Sequence, residues 1–357
     1  MTNLVPVHFP SDSILGFPAK ELAAIVGSAT GDPIPGQEVY SLPGDASDRC
    51  YFRFVFSRMP ANHSFRHHSL ILMKLAQAPS PPELPFVNVL QYLRELHIPV
   101  PDLYAYLPEK GIALMEDLGD LTLEEIVGRI TEEEKRTYYQ QAIEFLLRMQ
   151  LEGSQGEKGD CVAFGWAFDV PKLLSELNFF LQHTVEGLWG KNIVPDHRQE
   201  LHWQFLTICQ VLADQKRYFT HRDYHSRNLM VQEGKLRVID FQDARMGPCH
   251  YDLASLLRDS YVCLEEKMVE DLIEYYLKRK EESEGDQIDR REFRRVFDLM
   301  ALQRNLKALG TFGYQTIAKG NDRYLKSIPR TLGYVRKNLD RNRELQELKK
   351  VLAPYLS

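Results

Sequence analysis

The hydrophobic pattern of the chain changes character near residue 120. Before that point, apolar residues fall in short runs separated by turn residues. In "EVYSLPGDASDRCYFRFVFS" (38–57) two extended segments flank a Gly-Asp-Ala-Ser turn, and aromatic and β-branched residues dominate the second, which favours strand. "HSLILMKLA" (68–76) predicts a further strand, and "VPDLYAYLPEKGIALMED" (100–117) a hairpin turning at "PEKG". Two segments of this part read as helix. "PAKELAAIVG" (18–27) is expected to close at Gly27, and "FVNVLQYLREL" (86–96) lines up Phe86, Val89, Leu90 and Leu93 on one face. After "EDLGD" helical spacing takes over, as in "EEEKRTYYQQAIEFLLRMQ" and "PKLLSELNFFLQH". "ESEGDQID" is a polar connector near residue 285, and helices return after it. The pattern predicts an α+β chain of two lobes: a small antiparallel-sheet lobe over 1–117 and a larger helical lobe over 118–357.

Composition narrows the class. The chain has 357 residues, 44% of them hydrophobic, enough for a large core. A formal net charge of -6 gives no global attraction to nucleic acid or to an anionic membrane. The longest apolar runs, such as "LILM" and "FLL", fall far short of the roughly 18 residues a membrane span needs. The five cysteines are scattered, with no pair spaced for zinc, and the N-terminal stretch lacks the features of a secretory leader. A cytoplasmic protein without nucleic-acid or membrane partners is the expectation.

The chemistry concentrates in "THRDYHSRNLMV" (220–231) and the following "KLRVIDFQD" (235–243). Two short strands around "QEGK" would bring Asn228 beside Asp240. Two oxygen-bearing side chains together with a polyphosphate suit Mg2+, a hard ion that keeps several waters. Asp223 then stands apart from the metal, able to orient a hydroxyl and accept its proton. That division of labour is the logic of phosphoryl transfer: position the nucleophile, neutralise the phosphates, keep the line of attack. The spacing matches the kinase signature of H-R-D, an Asn five residues after the Asp, and a metal-binding Asp in a D-F-x turn.

In the first lobe, "LPGDASDR" sits between two strands, as a phosphate-covering loop should. It has the single glycine Gly44, and the backbone N–H groups of Asp45, Ala46, Ser47 and Asp48, with the Ser47 hydroxyl, are its candidate phosphate donors. Lys74 ends an apolar strand, as the lysine of V-A-I-K does, with Glu83 a possible partner. Arg49 and Arg53 are rival phosphate contacts.

The chain resembles the aminoglycoside phosphotransferase and choline kinase superfamily more than the protein kinases. "VIDFQDARMGPCHYDLASLLRDSYV" (238–262) matches the superfamily's "IDxxDAxxGPxxYDLA" pattern, whereas no APE-like stretch occurs. Within it, "LPGDASDRCYFR", "MEDLGDLTL", the stretch from His221 to Val262 and "QRNLKALGTFGY" (303–314) are similar to bacterial anomeric kinases of N-acetylmuramate and N-acetylglucosamine, which act in cell-wall recycling. The resemblance runs along almost the whole chain. It implies a bilobal protein-kinase-like fold and an ATP- and Mg2+-dependent transfer to a sugar's anomeric hydroxyl. Asp223 would be the base, Asn228 and Asp240 the metal ligands, and Asp252 the residue that holds the catalytic loop. Adenine would sit at a hinge of Met115, Glu116 and Asp117, where backbone groups do the work. The Lys74 position is not reliably lysine in these anomeric kinases, so its role rests on the wider superfamily.

For the acceptor, the resemblance points to Glu176 as a pocket-lining residue, with an exposed helix position as the alternative. Arg258, Asp259 and Tyr261 either face the acceptor or form a surface group; Arg258 is the candidate partner of the muramate carboxylate. Two other functions compete. An aminoglycoside or other small-alcohol phosphotransferase would need, for a polycationic drug, an acidic acceptor pocket. A non-catalytic kinase-fold binding protein would be expected to lack the base, the Asn or the metal Asp, and all three are present.

Overall fold

The computed structural model describes residues 5–6, 13–14, 17–30, 37–42, 49–56, 68–78, 84–157 and 159–356. In chain order the first part contains β1 (Val5–Pro6), β2 (Ser13–Ile14), β3 (Phe17–Pro18), α1 (Ala19–Thr30), β4 (Gln37–Leu42), β5 (Arg49–Phe56) and β6 (Ser69–Leu75). It closes with α2 (Pro85–Glu95), β7 (Leu103–Leu107) and β8 (Ile112–Glu116). A six-stranded antiparallel sheet forms in the order β1-β4-β5-β6-β8-β7. The hairpin expected at "PEKG" is present: a single 3-10 turn at Pro108–Lys110 ends on Gly111, whose φ of 61° suits a glycine. Gly27 does not end α1, which continues to Thr30. The Thr30 hydroxyl donates to the Val26 carbonyl at 3.0 Å, satisfying a late backbone acceptor.

Strand alternation gives the sheet two faces with separate cores. One face packs Phe54, Leu70, Leu72, Ile112 and Leu114 against Leu22, Ile25 and Val26 of α1. The other carries Ile71, Met73, Ala113 and Met115 into the main core, with Phe86, Val89, Leu90 and Leu93 of α2. The helical stripe read in "FVNVLQYLREL" is therefore the face that docks on the sheet.

The remainder is mostly helical: α3 (Leu123–Ile126), α4 (Glu132–Leu151), α5 (Val170–Phe180), α6 (Pro195–Ala213), α7 (His250–Leu257), α8 (Glu266–Glu284), α9 (Arg290–Lys319), α10 (Ile328–Arg341) and α11 (Gln346–Leu352). Between α6 and α7 lie four short strands, β9 (Arg217–Thr220), β10 (Leu229–Gln232), β11 (Lys235–Val238) and β12 (Arg245–Pro248), paired β9 with β12 and β10 with β11. Thr122 and Thr131 begin α3 and α4 with capping boxes to Glu125 and Glu134. A π-helical segment, Leu181–Leu188, continues α5 and packs on α9.

That contact explains two glycines of "QRNLKALGTFGY". A side chain at Gly310 would stand 2.8 Å from the Phe180 backbone nitrogen, and one at Gly313 2.5 Å from the His183 carbonyl. With glycine there, the Thr184 hydroxyl reaches the Leu309 carbonyl at 2.6 Å. The close approach sets where α9 runs, and so where its side chains meet the cleft. No helix among the described residues is long and apolar enough to cross a membrane.

Candidate active site

A cleft of about 1110 Å³ lies between the sheet and the helical part, and it contains Asp223, Asn228 and Asp240. The hairpin of β10 and β11 makes the juxtaposition. Leu229 pairs with Val238, and the two-residue turn Glu233–Gly234 has φ of 50° and 73°, both positive as a tight hairpin turn requires. Asn228 and Asp240 thus flank the open end of the hairpin, where the Asn228 amide nitrogen donates to the Asp240 carboxylate at 3.1 Å. It also donates to the Asp223 carbonyl at 2.9 Å, tying the two ends of the loop together.

Two buried carboxylates brace this loop. Asp252 accepts the backbone N–H of His221 at 2.6 Å and of Arg222 at 3.0 Å, which is the loop-holding role expected of it. Burial pushes its carboxyl up to about 7 even as those two N–H groups pull the other way. Asp259 accepts the Ser226 N–H at 2.9 Å and its hydroxyl at 2.5 Å. Asp259 thus braces the loop from the cleft wall and is not half of a surface pair. His221 is buried, its ring driven down to about 4 by desolvation, and its Nε2 meets the Ile239 carbonyl at 3.0 Å. That contact reads as donation from a neutral ring. Arg222 and Asp240 sit at φ of 84° and 65°. Left-handed backbone without glycine costs on the order of 1–3 kcal/mol, and at Arg222 the Asp252 carboxylate that accepts its N–H helps to hold it.

Asp223 is surrounded by cations. Lys307 of α9 lies 2.8 Å from its Oδ1 and Arg304 3.5 Å away. Burial works against the Asp223 charge, but Lys307, Arg222 and Arg304 outweigh it and hold the carboxyl well below its ordinary range. Arg304 is anchored by the Tyr251 hydroxyl at 3.0 Å and Ser255 Oγ at 2.7 Å, and Arg222 by Asp243 at 2.7 Å. None of these cations was assigned a role from sequence. Arg222 is the arginine of the H-R-D stretch, and the signal for the other two was "QRNLKALGTFGY", where Arg304, Lys307, Ala308 and Thr311 recur at helical spacing toward one wall of the cleft.

Several expected contacts are placed elsewhere. Lys74 pairs across the sheet with Cys50 and Ile112, in line with Leu70 and Leu72 on the face that packs α1. The cleft is lined instead by Arg49, Tyr51, Arg53 and Ile71, whose odd-numbered positions point the other way. Replacing Lys74 by Ala should therefore leave kcat and the nucleotide KM within about threefold of wild type, since no transition-state charge is removed; a steady-state assay checks this. Arg53, although in the cleft wall, is committed to Asp117 at 2.7 Å and Asp120 at 2.7 Å, joining β5 to the link after β8. Arg49 remains the arginine of β5 facing the cleft without a described carboxylate partner.

At the link, Met115 faces the cleft, Asp117 binds Arg53, and the Glu116 carboxylate pairs with Arg237 and accepts the Asp102 N–H at 3.1 Å. Both acidic side chains serve structure, which leaves backbone and the Met115 side chain to offer a ligand. Glu176 is not an exposed helix residue, and it does not line the cleft. It is 6% exposed and held by Gln303 at 3.0 Å and Lys172 at 3.2 Å. Arg258 touches the cleft, but its guanidinium is spent on Glu266. Gly44, Asp45, Ala46, Ser47 and Glu83 lie outside the described residues.

An antiparallel sheet over a helical body, with the H-R-D loop in the cleft between them, is the architecture of the aminoglycoside phosphotransferase-like kinases. A structure of the streptomycin–ATP–APH(2")-IIa ternary complex superposes with a TM-score of 0.56 at 14% identity, covering 92% of this chain and 98% of that one. The model of the phosphotransferase enzyme family matches residues 61–294. Two curated relatives, each named N-acetylmuramate/N-acetylglucosamine kinase, are similar over most of their length. The one from Neisseria meningitidis serogroup B is 32% identical over 85% of this chain and 86% of its own. The one from Pseudomonas aeruginosa is 32% identical over 90% of this chain and 89% of its own. The chain belongs to the phosphotransferase enzyme family, and it is a phosphotransferase.

Proposed function

We propose that the protein transfers the γ-phosphoryl group of ATP to the anomeric hydroxyl of N-acetylmuramate and N-acetylglucosamine. The observation that carries this reading is the cleft itself. Asp223, Asn228 and Asp240 converge at its centre, and the wall beyond Asp223 is basic, with Arg227, Arg304, Lys307, Arg323 and Lys326. Acids on that side are fewer, and they are engaged: Glu124 with Arg227 at 2.6 Å, Asp259 with Ser226. A polycationic aminoglycoside would meet like charge there, whereas a sugar bearing a carboxylate would not. Tyr261, Phe312 and Tyr324 add aromatic surface of the kind that sugar rings cover.

In this reading Asp223 orients the hydroxyl and takes its proton. The low basicity its cations impose suits an anomeric hydroxyl, which is more acidic than an ordinary sugar alcohol. The Asn228 amide and Asp240 carboxylate lie side by side and offer hard oxygen atoms, so these two residues would hold Mg2+. The ion's contribution is to neutralise charge on the polyphosphate. Arg49 would contact the phosphates, and the Met115–Asp117 backbone would hold the adenine.

The test is a panel of N-acetylmuramate, N-acetylglucosamine, kanamycin and choline with Mg·ATP, with products read by NMR. Both sugars should give 1-phosphates and kanamycin should give nothing. Phosphate on C6, or robust turnover of kanamycin with neither sugar used, would overturn the assignment.

A further inference from the structure

We propose that Lys307 is a further catalytic residue, held on Asp223 before transfer and turned to the migrating phosphoryl group during it. The proposal rests on the reading that Asp223 receives the hydroxyl proton. Three observations carry it. The ammonium of Lys307 lies 2.8 Å from Asp223 Oδ1 and lines the cleft. The other two cations around Asp223 are anchored by partners of their own, Arg304 by Tyr251 and Ser255, Arg222 by Asp243. And the strand lysine, Lys74, lies on the face of the sheet away from the cleft.

A transferring phosphoryl group spreads negative charge over its equatorial oxygens and needs a nearby cation. Lys307 has three donors on a flexible four-carbon stem, so a change of rotamer can redirect it, which the fixed arginines cannot copy. The charge balance favours that redirection during the reaction. The acceptor O–H proton passes to the second oxygen of Asp223 while the acceptor oxygen bonds to phosphorus. The phosphorus–oxygen bond to ADP breaks with its electron pair left on ADP. Asp223 becomes neutral, so its hold on Lys307 weakens just as the phosphoryl oxygens demand charge. Lys307 stays protonated throughout. Its origin on α9 is fixed by the close packing at Gly310 and Gly313, so the stem starts from one place.

Lys307→Met keeps the stem and removes the charge. Its kcat should fall about 100-fold or more, the loss seen when one donor to a developing oxyanion is removed, with nucleotide KM within a few-fold. The decisive readout is ADP with aluminium fluoride, a mimic of the phosphoryl group in flight. Wild type should bind it far more tightly than ADP alone, and Lys307→Met should lose that gain while keeping its affinity for ADP. Lys307→Arg should recover part of kcat. A merely structural lysine would instead lower Tm and raise KM, leaving the gain from aluminium fluoride intact; that result, or a kcat within threefold of wild type, overturns the proposal. If Lys307→Met does not fold, Lys307→Gln is read the same way. The acceptor reading is judged separately by wild-type turnover of the two sugars. The variant ratios are taken with whichever acceptor wild type uses.

Discussion

Asp240→Ala should abolish turnover at any practical Mg2+ concentration. Asp240 is the one charged oxygen donor at the open end of the β10–β11 hairpin, and Asn228 beside it is neutral. Mg2+ sheds water reluctantly and needs anionic oxygen to offset the cost, so a lone amide does not retain it. The structural cost of the substitution should be small, because Asp240 is exposed, Gln242 can turn to water, and the buried Asn228 amide keeps the Asp223 carbonyl as its acceptor at 2.9 Å. Removing a strained left-handed Asp in favour of Ala leaves the φ of 65° no easier to adopt, so no stabilisation is expected either. Calorimetric titration with ATP, with and without Mg2+, separates the outcomes. The variant should bind ATP no better with the ion than without it, and an unchanged metal-dependent gain would remove Asp240 from the role.

Asp223→Asn should lower kcat by at least about 100-fold, the range typical for losing a general base. Asparagine keeps the shape and can still accept a hydrogen bond from a hydroxyl, but it cannot take the proton. The loop should keep its backbone, because Asp252 and Asp259 hold it through N–H groups on either side of residue 223. Nucleotide affinity should survive, since Asn228 and Asp240 are untouched. One secondary effect follows from the surroundings. Lys307, Arg304 and Arg222 would face each other without the carboxylate between them, so a modest loss of Tm is expected. Near-normal turnover in a folded variant would show that Asp223 is not the base.

Residues close in sequence were legible, and the reason is geometric. Asn228 and Asp240 meet because a hairpin with a two-residue turn can put its ends nowhere else, and the two lie only 12 positions apart in sequence. Likewise, aromatic and β-branched content marked β5 and a short apolar run marked β6 as strands, and helical spacing marked the docking face of α2, since each signal is a property of a single segment. The resemblance across separated motifs extended this to the architecture.

Positions that depend on how segments pack were not legible. Whether Lys74 faces the cleft or α1 is a matter of strand parity, and one residue of register reverses it. Glu176 and Arg258 were candidate acceptor contacts, and only the packing shows Glu176 buried against Gln303 and Arg258 paired with Glu266 at the cleft edge. The converse holds for Lys307, which reaches Asp223 across 84 residues of sequence because Gly310 and Gly313 let α9 lie close against the π-helical segment. The sequence by itself determined the hairpin that joins Asn228 to Asp240, because short-range geometry admits few solutions, and the resemblance across its motifs carried the sheet-and-helix plan. Only the tertiary structure decided which charges surround Asp223, because that depends on where distant helices come to rest when their cores close.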